Sequence, residues 1–412
     1  MRQDLLSDAP SPAQRIPKRP DGETQGLAGL FPYYAGYAYD WAQHQLEREP
    51  SHSSILDPWN GSGTTTMAAA RLALTAVGTD LNPVANAVAL LKLTGLWATP
   101  TRPPKQQYDW DPSEAHDPLD YWLEQRTRRR FRQWLASAER QSLPSRLLLQ
   151  VALFGVLRQT TAHFQGSNPT WVRRARASDE HIYLPDDELD HAIVRRQKMM
   201  VETLSQEQPL SGLASVLRAS AAELPLRPSS VDRILTSPPY MTRIDYAIAY
   251  SRELALMGID VWSDRRFRLS LMGSTLIRSR EKAIPQCKSD LARDTWADIK
   301  SHPSKDSSGY YSTQASQYLS DMAAALKCVT RVARDDAHMT LVVQDSTYKE
   351  QHLSVSEIWM AEAAELGWVL CSKKPFPVRR SLITLNVAAQ EYPKPPVAET
   401  VLDLRLERKE VQ

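Results

Sequence analysis

The chain of 412 residues has only three cysteines, Cys287, Cys328 and Cys371. They are far apart and odd in number, so neither a disulfide framework nor a zinc knuckle is implied. A reducing, cytoplasmic setting is the expectation. No cluster of histidine, cysteine and aspartate has metal-ligand spacing, so no metal is expected. No apolar run approaches a membrane span in length, so no membrane partner is expected either. The opening stretch, residues 1–26, lacks the apolar centre of a signal peptide. Its proline and polar content predicts a disordered lead-in. Charge of one sign is also missing, since 50 Lys and Arg face 48 Asp and Glu for a net charge of +2. That balance argues neither for nor against a polyanionic partner, and local clusters must decide. No internal repeat is visible. What remains is a soluble globular composition, 42% apolar and 24% charged. The length suits a large catalytic domain with a second lobe.

The order of patterns outlines that arrangement. Residues 27–97 contain "SSILDPWNGSGTTTMAAARLALTAVGTDLNPVANAVALLKLTG". This predicts a short strand, a glycine turn, an alanine-rich helix, a second strand and a second helix. Asn82 suits the N-cap of that helix and Pro83 its first position. The unit is βαβ-like and predicts a parallel, doubly wound sheet. Residues 98–210 break the rhythm with long helical patterns and predict a helical insertion or a separate lobe. The α/β pattern resumes over 211–395. Residues 396–412 are expected to be a C-terminal tail.

Two short stretches carry chemistry. In "LDPWNGSGTT", Asp57 ends a strand, and Gly61 and Gly63 form a turn that opens a helix. Glycines allow close backbone approach to a ligand, and a helix N-terminus offers unpaired N–H groups. "VGTDLNP" then ends the next strand with Asp80, which can take both hydroxyls of a ribose. The combination suits an adenosine ligand at the carboxyl edge of the sheet. A tight turn with a capping aspartate is the plainer alternative. No Gly-Lys-Ser/Thr follows, which excludes a P-loop, and the third glycine of a dinucleotide fingerprint is missing.

The second stretch is "ILTSPPY", residues 234–240. Two prolines cannot continue a central strand, because each lacks the N–H that a ladder needs. They leave a fixed carbonyl and a fixed ring at the strand's end, a site built to hold something flat. The plainer alternative is a turn with Tyr240 in the core.

Together, "DPWNGSGTT…GTDLNP" and "TSPPY" resemble the amino-methylating DNA methyltransferases. These enzymes use S-adenosylmethionine to methylate an exocyclic amine of cytosine or adenine. The likeness covers about half the chain and implies a Rossmann-like methyltransferase sheet with a large helical insertion. It implies that Asp57, Gly61 and Gly63 line the methionine part of the cofactor and Asp80 the ribose, with Pro58, Thr64 and Asn82 also among the cofactor-binding residues. "FPYYAGYA", residues 31–38, resembles the segment that closes over the methionine end, with Phe31 as its contact. "RVARDDAHMTLVVQDS" resembles another stretch of the same superfamily. Trp59 stands where the family motif has phenylalanine. The acidic residue that often follows the third strand is absent, and "VLRASAAEL" offers only Ser220.

The resemblance makes Ser237, Pro238, Pro239 and Tyr240 the catalytic residues. The Ser237 hydroxyl and the Pro238 carbonyl would accept amine protons, and the rigid prolines preorganise that acceptor. Tyr240 would stack on the extruded base. A serine in this motif favours N4 of cytosine. N6 of adenine, an RNA amine, and a silent binding subunit are the competing readings. The implied partners are double-stranded DNA and a cognate restriction endonuclease or defence-system proteins.

Basic clusters supply candidate phosphate contacts. They are Arg128, Arg129 and Arg130 in "RTRRRFR", Arg173 and Arg174 in "WVRRARAS", Arg243 after the catalytic motif, and Arg278 and Arg280 in "LIRSREK". "PFPVRRSL" adds Arg379 and Arg380. On a near-neutral chain these predict a basic face. Each alone also fits an ordinary solvated surface. Asp245 is expected either to touch substrate or to be anchored by Arg243 or Arg252.

Overall fold

A computed structural model of the chain describes residues 17, 26–32, 36–105, 116–166, 171–177, 180–241, 244–279, 284–377 and 395–408. Its strands are β1 (Ser54–Asp57), β2 (Thr75–Thr79), β3 (Leu213–Leu217), β4 (Val231–Thr236), β5 (Ala333–Gln344), β6 (Ser346–Tyr348), β7 (Gln351–Leu353), β8 (Trp368–Pro377) and β9 (Ala398–Leu406). Its α-helices are α1 (Tyr39–Leu46), α2 (Thr64–Arg71), α3 (Pro83–Thr94), α4 (Gln125–Ala138), α5 (Leu143–Thr160) and α6 (Asp186–Ser205). Then follow α7 (Tyr246–Ala249), α8 (Ser251–Leu256), α9 (Arg266–Ser270), α10 (Asp290–Ser301), α11 (Ser312–Val332) and α12 (Val355–Ala364).

Seven strands form one sheet in the order β3-β2-β1-β4-β5-β9-β8, while β6 and β7 make a separate hairpin. The ladders from β3 to β5 are all parallel. Strand β9 runs antiparallel to both its neighbours. The inner strands are short apolar runs buried on both faces, with Ile55, Leu56, Ile234 and Leu235 all sealed from solvent. A parallel sheet covered by helices requires such runs.

This topology positions the site. From β1 the chain winds outward through β2 and β3, then returns to start β4 on the other side of β1. Ile55 pairs with Arg233 and Leu56 with Ile234. The ends of β1 and β4 therefore lie side by side at the point where strand order reverses. In an open α/β sheet that reversal opens a crevice beyond the carboxyl ends of the strands. Thus the glycine turn after β1 and the Ser-Pro-Pro-Tyr segment after β4 share one edge.

The described parts of residues 98–210 are mainly helical, and they do not stand apart from the sheet domain. Trp122, Phe131, Trp134 and Phe154 share a core with Val84, Val88 and Leu91 of α3 and with Leu254 and Leu256 of α8. Helix α5 is buried on nearly every side, which suits its continuous apolar sequence. The insertion is a helical layer against α3.

The tail expected at 396–412 needs correction. Residues 398–406 are strand β9, inserted between β5 and β8. "VLDLRL" alternates with period two, and Leu402, Leu404 and Leu406 are buried on one face. A short segment of mixed charge reads as a tail only until its alternation is matched to two waiting partners. The expected disordered lead-in lies outside the described residues, apart from Pro17 and Gly26.

Candidate active site

Strand β1 ends in Asp57, whose carboxylate is enclosed by donors. Trp59 N–H donates at 3.1 Å, the Thr236 hydroxyl at 2.6 Å and the Tyr37 phenol at 3.3 Å. The Thr65 hydroxyl donates to it as well. Burial pushes the carboxyl up to about 6, although these donors favour the charged form. Thr236 is the last residue of β4, so Asp57 ties the two adjacent strand ends together. Asp57 is not among the residues lining the cavity above it. Its neighbours Pro58 and Trp59 are.

The glycine turn follows. Gly61 and Gly63 have φ of 49° and 85°, the left-handed region that favours glycine. A Cβ on Gly63 would also lie 2.8 Å from the Ala89 Cβ, so the turn packs closely on α3. Gly61 N–H donates to Asp80 Oδ2 at 3.0 Å, and Asn82 N–H donates to Oδ1 at 2.8 Å. Asp80 thereby fastens the turn to the start of α3. Burial also pushes Asp80 up to about 6, against these two donors. Each carboxylate oxygen keeps a further acceptor direction, and Asp80 lines the cavity.

Asn82 caps α3 by accepting from Val84 N–H at 3.0 Å. Its Nδ2 is buried and has no partner, and the residue lines the same cavity. A buried donor without an acceptor is costly unless a ligand or water supplies one. Thr64 begins α2, and Gly61 is the member of the turn that faces the cavity.

Ser237 and Pro239 form the cavity wall at the end of β4, with Tyr246 of α7 beside them. The Ser237 hydroxyl donates to the Val342 carbonyl at 2.9 Å, which leaves its lone pairs to accept. The Pro239 carbonyl accepts from the Tyr318 phenol at 3.0 Å. Tyr318 in turn accepts from Trp359 Nε1 at 3.2 Å, and Trp359 stands edge-on to Trp59. Pro238 is buried, and Tyr240 is half-buried behind the wall with its phenol pushed upward by burial. A hydrogen bond joins the Tyr240 backbone to the Tyr246 phenol.

A strap after α9 closes the far side with Ser270, Leu271 and Met272. Asp245 anchors it, accepting from Arg268 at 2.6 Å and from the Thr275 hydroxyl at 2.7 Å. Asp245 is thus an anchor, and its partner is Arg268. Arg252 is buried and bonds to Gln165 at 2.7 Å. Asp321 and Ala325 of α11 complete the cavity, which encloses about 860 Å³ open to solvent.

Phe31 lies elsewhere. It is fully buried between Phe154 and Tyr250, with the Arg158 guanidinium 4.4 Å above its ring. An aromatic at this point docks into the helical layer and does not line the cavity. Tyr37, from the same "FPYYAGYA" segment, instead reaches Asp57.

Among the described residues, four of the six arginines singled out by sequence have carboxylate partners. Arg130 is buried, donating to Asp190 at 2.8 Å, to Gln133 and to the Pro104 carbonyl. Arg128 pairs with Asp120 at 3.1 Å and Arg173 with Glu180 at 2.7 Å. Arg278 holds Asp321. Arg129 and Arg174 are exposed, and Arg174 lies over the rings of Tyr121 and Trp262. Arg243, Arg280, Arg379 and Arg380 lie outside the described residues. Sequence could not foresee these pairs, because the acids come from other elements.

Among the described residues no group of three or more His, Cys, Asp and Glu could hold a metal ion. No helix among them is long and apolar enough to cross a membrane.

The mostly parallel seven-stranded sheet is doubly wound and Rossmann-like, with the glycine turn after β1 at its switch point. No family model matches the chain. The chain is 20% identical over 292 residues to the Type II methyltransferase M.BsoBI of Geobacillus stearothermophilus. The match spans 62% of this chain and 57% of that protein, so the chain covers little more than half of the relative's length. Similar solved structures include a SAM-dependent methyltransferase from Methanosarcina mazei, with a TM-score of 0.32, 7% identity, and coverage of 87% of this chain and 95% of that one. They also include an rRNA methyltransferase from Streptomyces viridochromogenes, with a TM-score of 0.31, 10% identity and 94% coverage of both chains. Likeness at that level carries no argument about substrate.

Proposed function

We propose that this chain is an S-adenosylmethionine-dependent methyltransferase that modifies an exocyclic amine of double-stranded DNA, N4 of cytosine. The observation that carries this reading is one cavity whose wall includes Gly61, Asp80 and Asn82 on one side and Ser237 and Pro239 on the other. A cofactor held by the first group presents its reactive end to the second. The similarity to a Type II methyltransferase supports the choice of DNA.

S-adenosylmethionine, when bound, supplies a methyl group on an activated sulfonium. The chain's residues do the rest. Asp80 takes the ribose hydroxyls, and the Asn82 amide finds the acceptor it lacks. The backbone at Pro58 and Gly61 receives the methionine end, while Gly63 shapes the turn and Thr64 starts α2. Asp57 works from below, holding the ends of β1 and β4 in register. At the reacting centre the amine's lone pair is delocalised into the ring. The Ser237 hydroxyl, its own proton given to Val342, accepts an amine proton and localises that lone pair toward the methyl. The Pro238 carbonyl is the second acceptor. The bound cofactor would supply the methyl to the amine nitrogen as its sulfonium bond is released, and the chain's acceptors would let one amine proton leave to solvent. Tyr240, half-buried behind the wall, supports it from the end of the motif.

The test is mass spectrometry of nucleosides from DNA treated with the protein and labelled cofactor. N4-methylcytosine is the expected product. N6-methyladenine alone would reject cytosine and keep the mechanism. Label in RNA but in no DNA would reject the DNA substrate.

A further inference from the structure

The cavity contains a carboxylate that neither the motifs nor the proposed chemistry uses. Asp321 and Ala325 lie one turn apart on α11, and both line the cavity. The next residue on that face, Cys328, accepts from Leu224 N–H at 3.2 Å. The same face of α11 therefore runs beside the segment that follows β3. That segment supplies Ala219, Ala221 and Ala222 to the cavity, and Leu81 adds a further apolar side chain. Small apolar groups suit the faces of a flat ring. The one polar side chain that this segment gives to the cavity, the Ser220 hydroxyl, already accepts from Ala222 N–H at 3.2 Å.

Asp321 is held in a fixed orientation. Arg278 grips both its oxygens, one at 2.7 Å, and is itself fixed by bonds from Nε to the Leu269 carbonyl and from its backbone N–H to Gln317. A two-toothed pair of this kind leaves a further acceptor direction on each oxygen. Asp80 and Asp321 are the two carboxylates lining the cavity. Asp80 sits at the end of β2, beside the glycine turn. Asp321 comes from a different element, α11, and Leu81, Ala219, Ala221 and Ala222 give the same cavity an apolar slot. An adenosine whose ribose meets Asp80 carries its base into that slot, and the base has one strong donor, its exocyclic amine.

We propose that Asp321 receives the amine of the cofactor's adenine, and that Arg278 is the positioning residue that aims it. The proposal rests on reading the cavity as the S-adenosylmethionine site. It gives Arg278 a role inside the protein in place of a DNA phosphate contact.

The experiment compares binding of S-adenosylhomocysteine with that of its 6-deamino purine analogue, by calorimetry on the full chain. The wild-type protein should prefer the amine-bearing ligand by about tenfold to a hundredfold, as for a hydrogen bond to a charged group. Asp321→Ala should bring that preference close to one, because both ligands then miss the carboxylate. Asp321→Asn, which keeps one acceptor oxygen, should give an intermediate preference. Arg278→Met should lower the preference while leaving Asp321 in place, an effect that loss of packing alone would not produce. Equal binding of the two ligands by the wild-type chain would overturn the proposal whatever the variants do. An undiminished preference in folded Asp321→Ala would do the same. Binding of neither ligand would overturn the cofactor site along with it.

Discussion

Asp57 and Asp80, at neighbouring strand ends, share a raised affinity for protons and have different partners. Asp57 is enclosed by donors from Tyr37, Trp59, Thr65 and Thr236. Its carboxyl is pushed up to about 6 in the folded chain, above the ordinary value of 3.8. A proton therefore binds the folded state more tightly than the unfolded one. The folded state loses relative stability as pH rises from about 4 through about 6, and the loss is complete above that window. Compared with Asp57→Asn, the wild-type protein should lose about 2–3 kcal/mol across the window, order of magnitude. Denaturant melts of both proteins at several pH values measure this, and parallel pH profiles would contradict it. Asp80 faces the cavity, so its substitution is read in binding. Asp80→Ala should weaken cofactor affinity by about 1.5–3 kcal/mol, measured by calorimetry. Unchanged affinity would reduce Asp80 to a brace for the glycine turn. Ser237→Ala should slow methyl transfer by about 10²-fold while cofactor affinity stays nearly constant, since the hydroxyl acts on the reacting amine. Single-turnover rates and calorimetry separate the two effects.

At the scale of elements, the arginine-rich helix α4 is the instructive case. Its arginines point to different surroundings because a helix distributes adjacent residues around its axis. Arg130 faces α6 and meets Asp190, Arg132 meets Asp117, and Arg129 faces solvent. Removing one partner of a buried pair strands the other charge. Arg130→Ala should cost about 3–5 kcal/mol of stability, whereas Arg129→Ala should leave stability nearly unchanged. Thermal and denaturant unfolding of the two variants checks this contrast. The exposed arginines, Arg129 and Arg174, are the better candidates for phosphate contact. Neutralising each should flatten the salt dependence of DNA binding by about 0.9 log units per lost contact. An unchanged slope would return them to an ordinary solvated surface.

At the scale of the whole molecule, the sheet is completed by its last described strand. Strand β9 bonds to β5 along one edge and to β8 along the other. Without it, β5 would become an open edge and β8 would lose its partner. Buried backbone donors and acceptors would then be unsatisfied along both. A chain ending at residue 395 should therefore lose cooperative folding, whereas removing only residues 409–412 should not. Circular dichroism melts of the two truncations distinguish a structural strand from a dispensable tail.

Local patterns in the sequence determined the sheet's parallel core, the turn with Gly61 and Gly63, the cap at Asn82, and the strand end carrying Ser237. Each depends on backbone preferences within a few residues, such as positive φ at glycine or the absent N–H of proline. The pairing of distant groups was decided only in three dimensions. Asp57 meets Thr236, Arg130 meets Asp190, and Arg278 meets Asp321 across 179, 60 and 43 residues. Phe31 turns into the helical layer for the same reason, since burial against Phe154 and Tyr250 depends on helices folded from remote sequence. The identity of a charge is local, whereas its partner, its burial and therefore its role are properties of the packed chain.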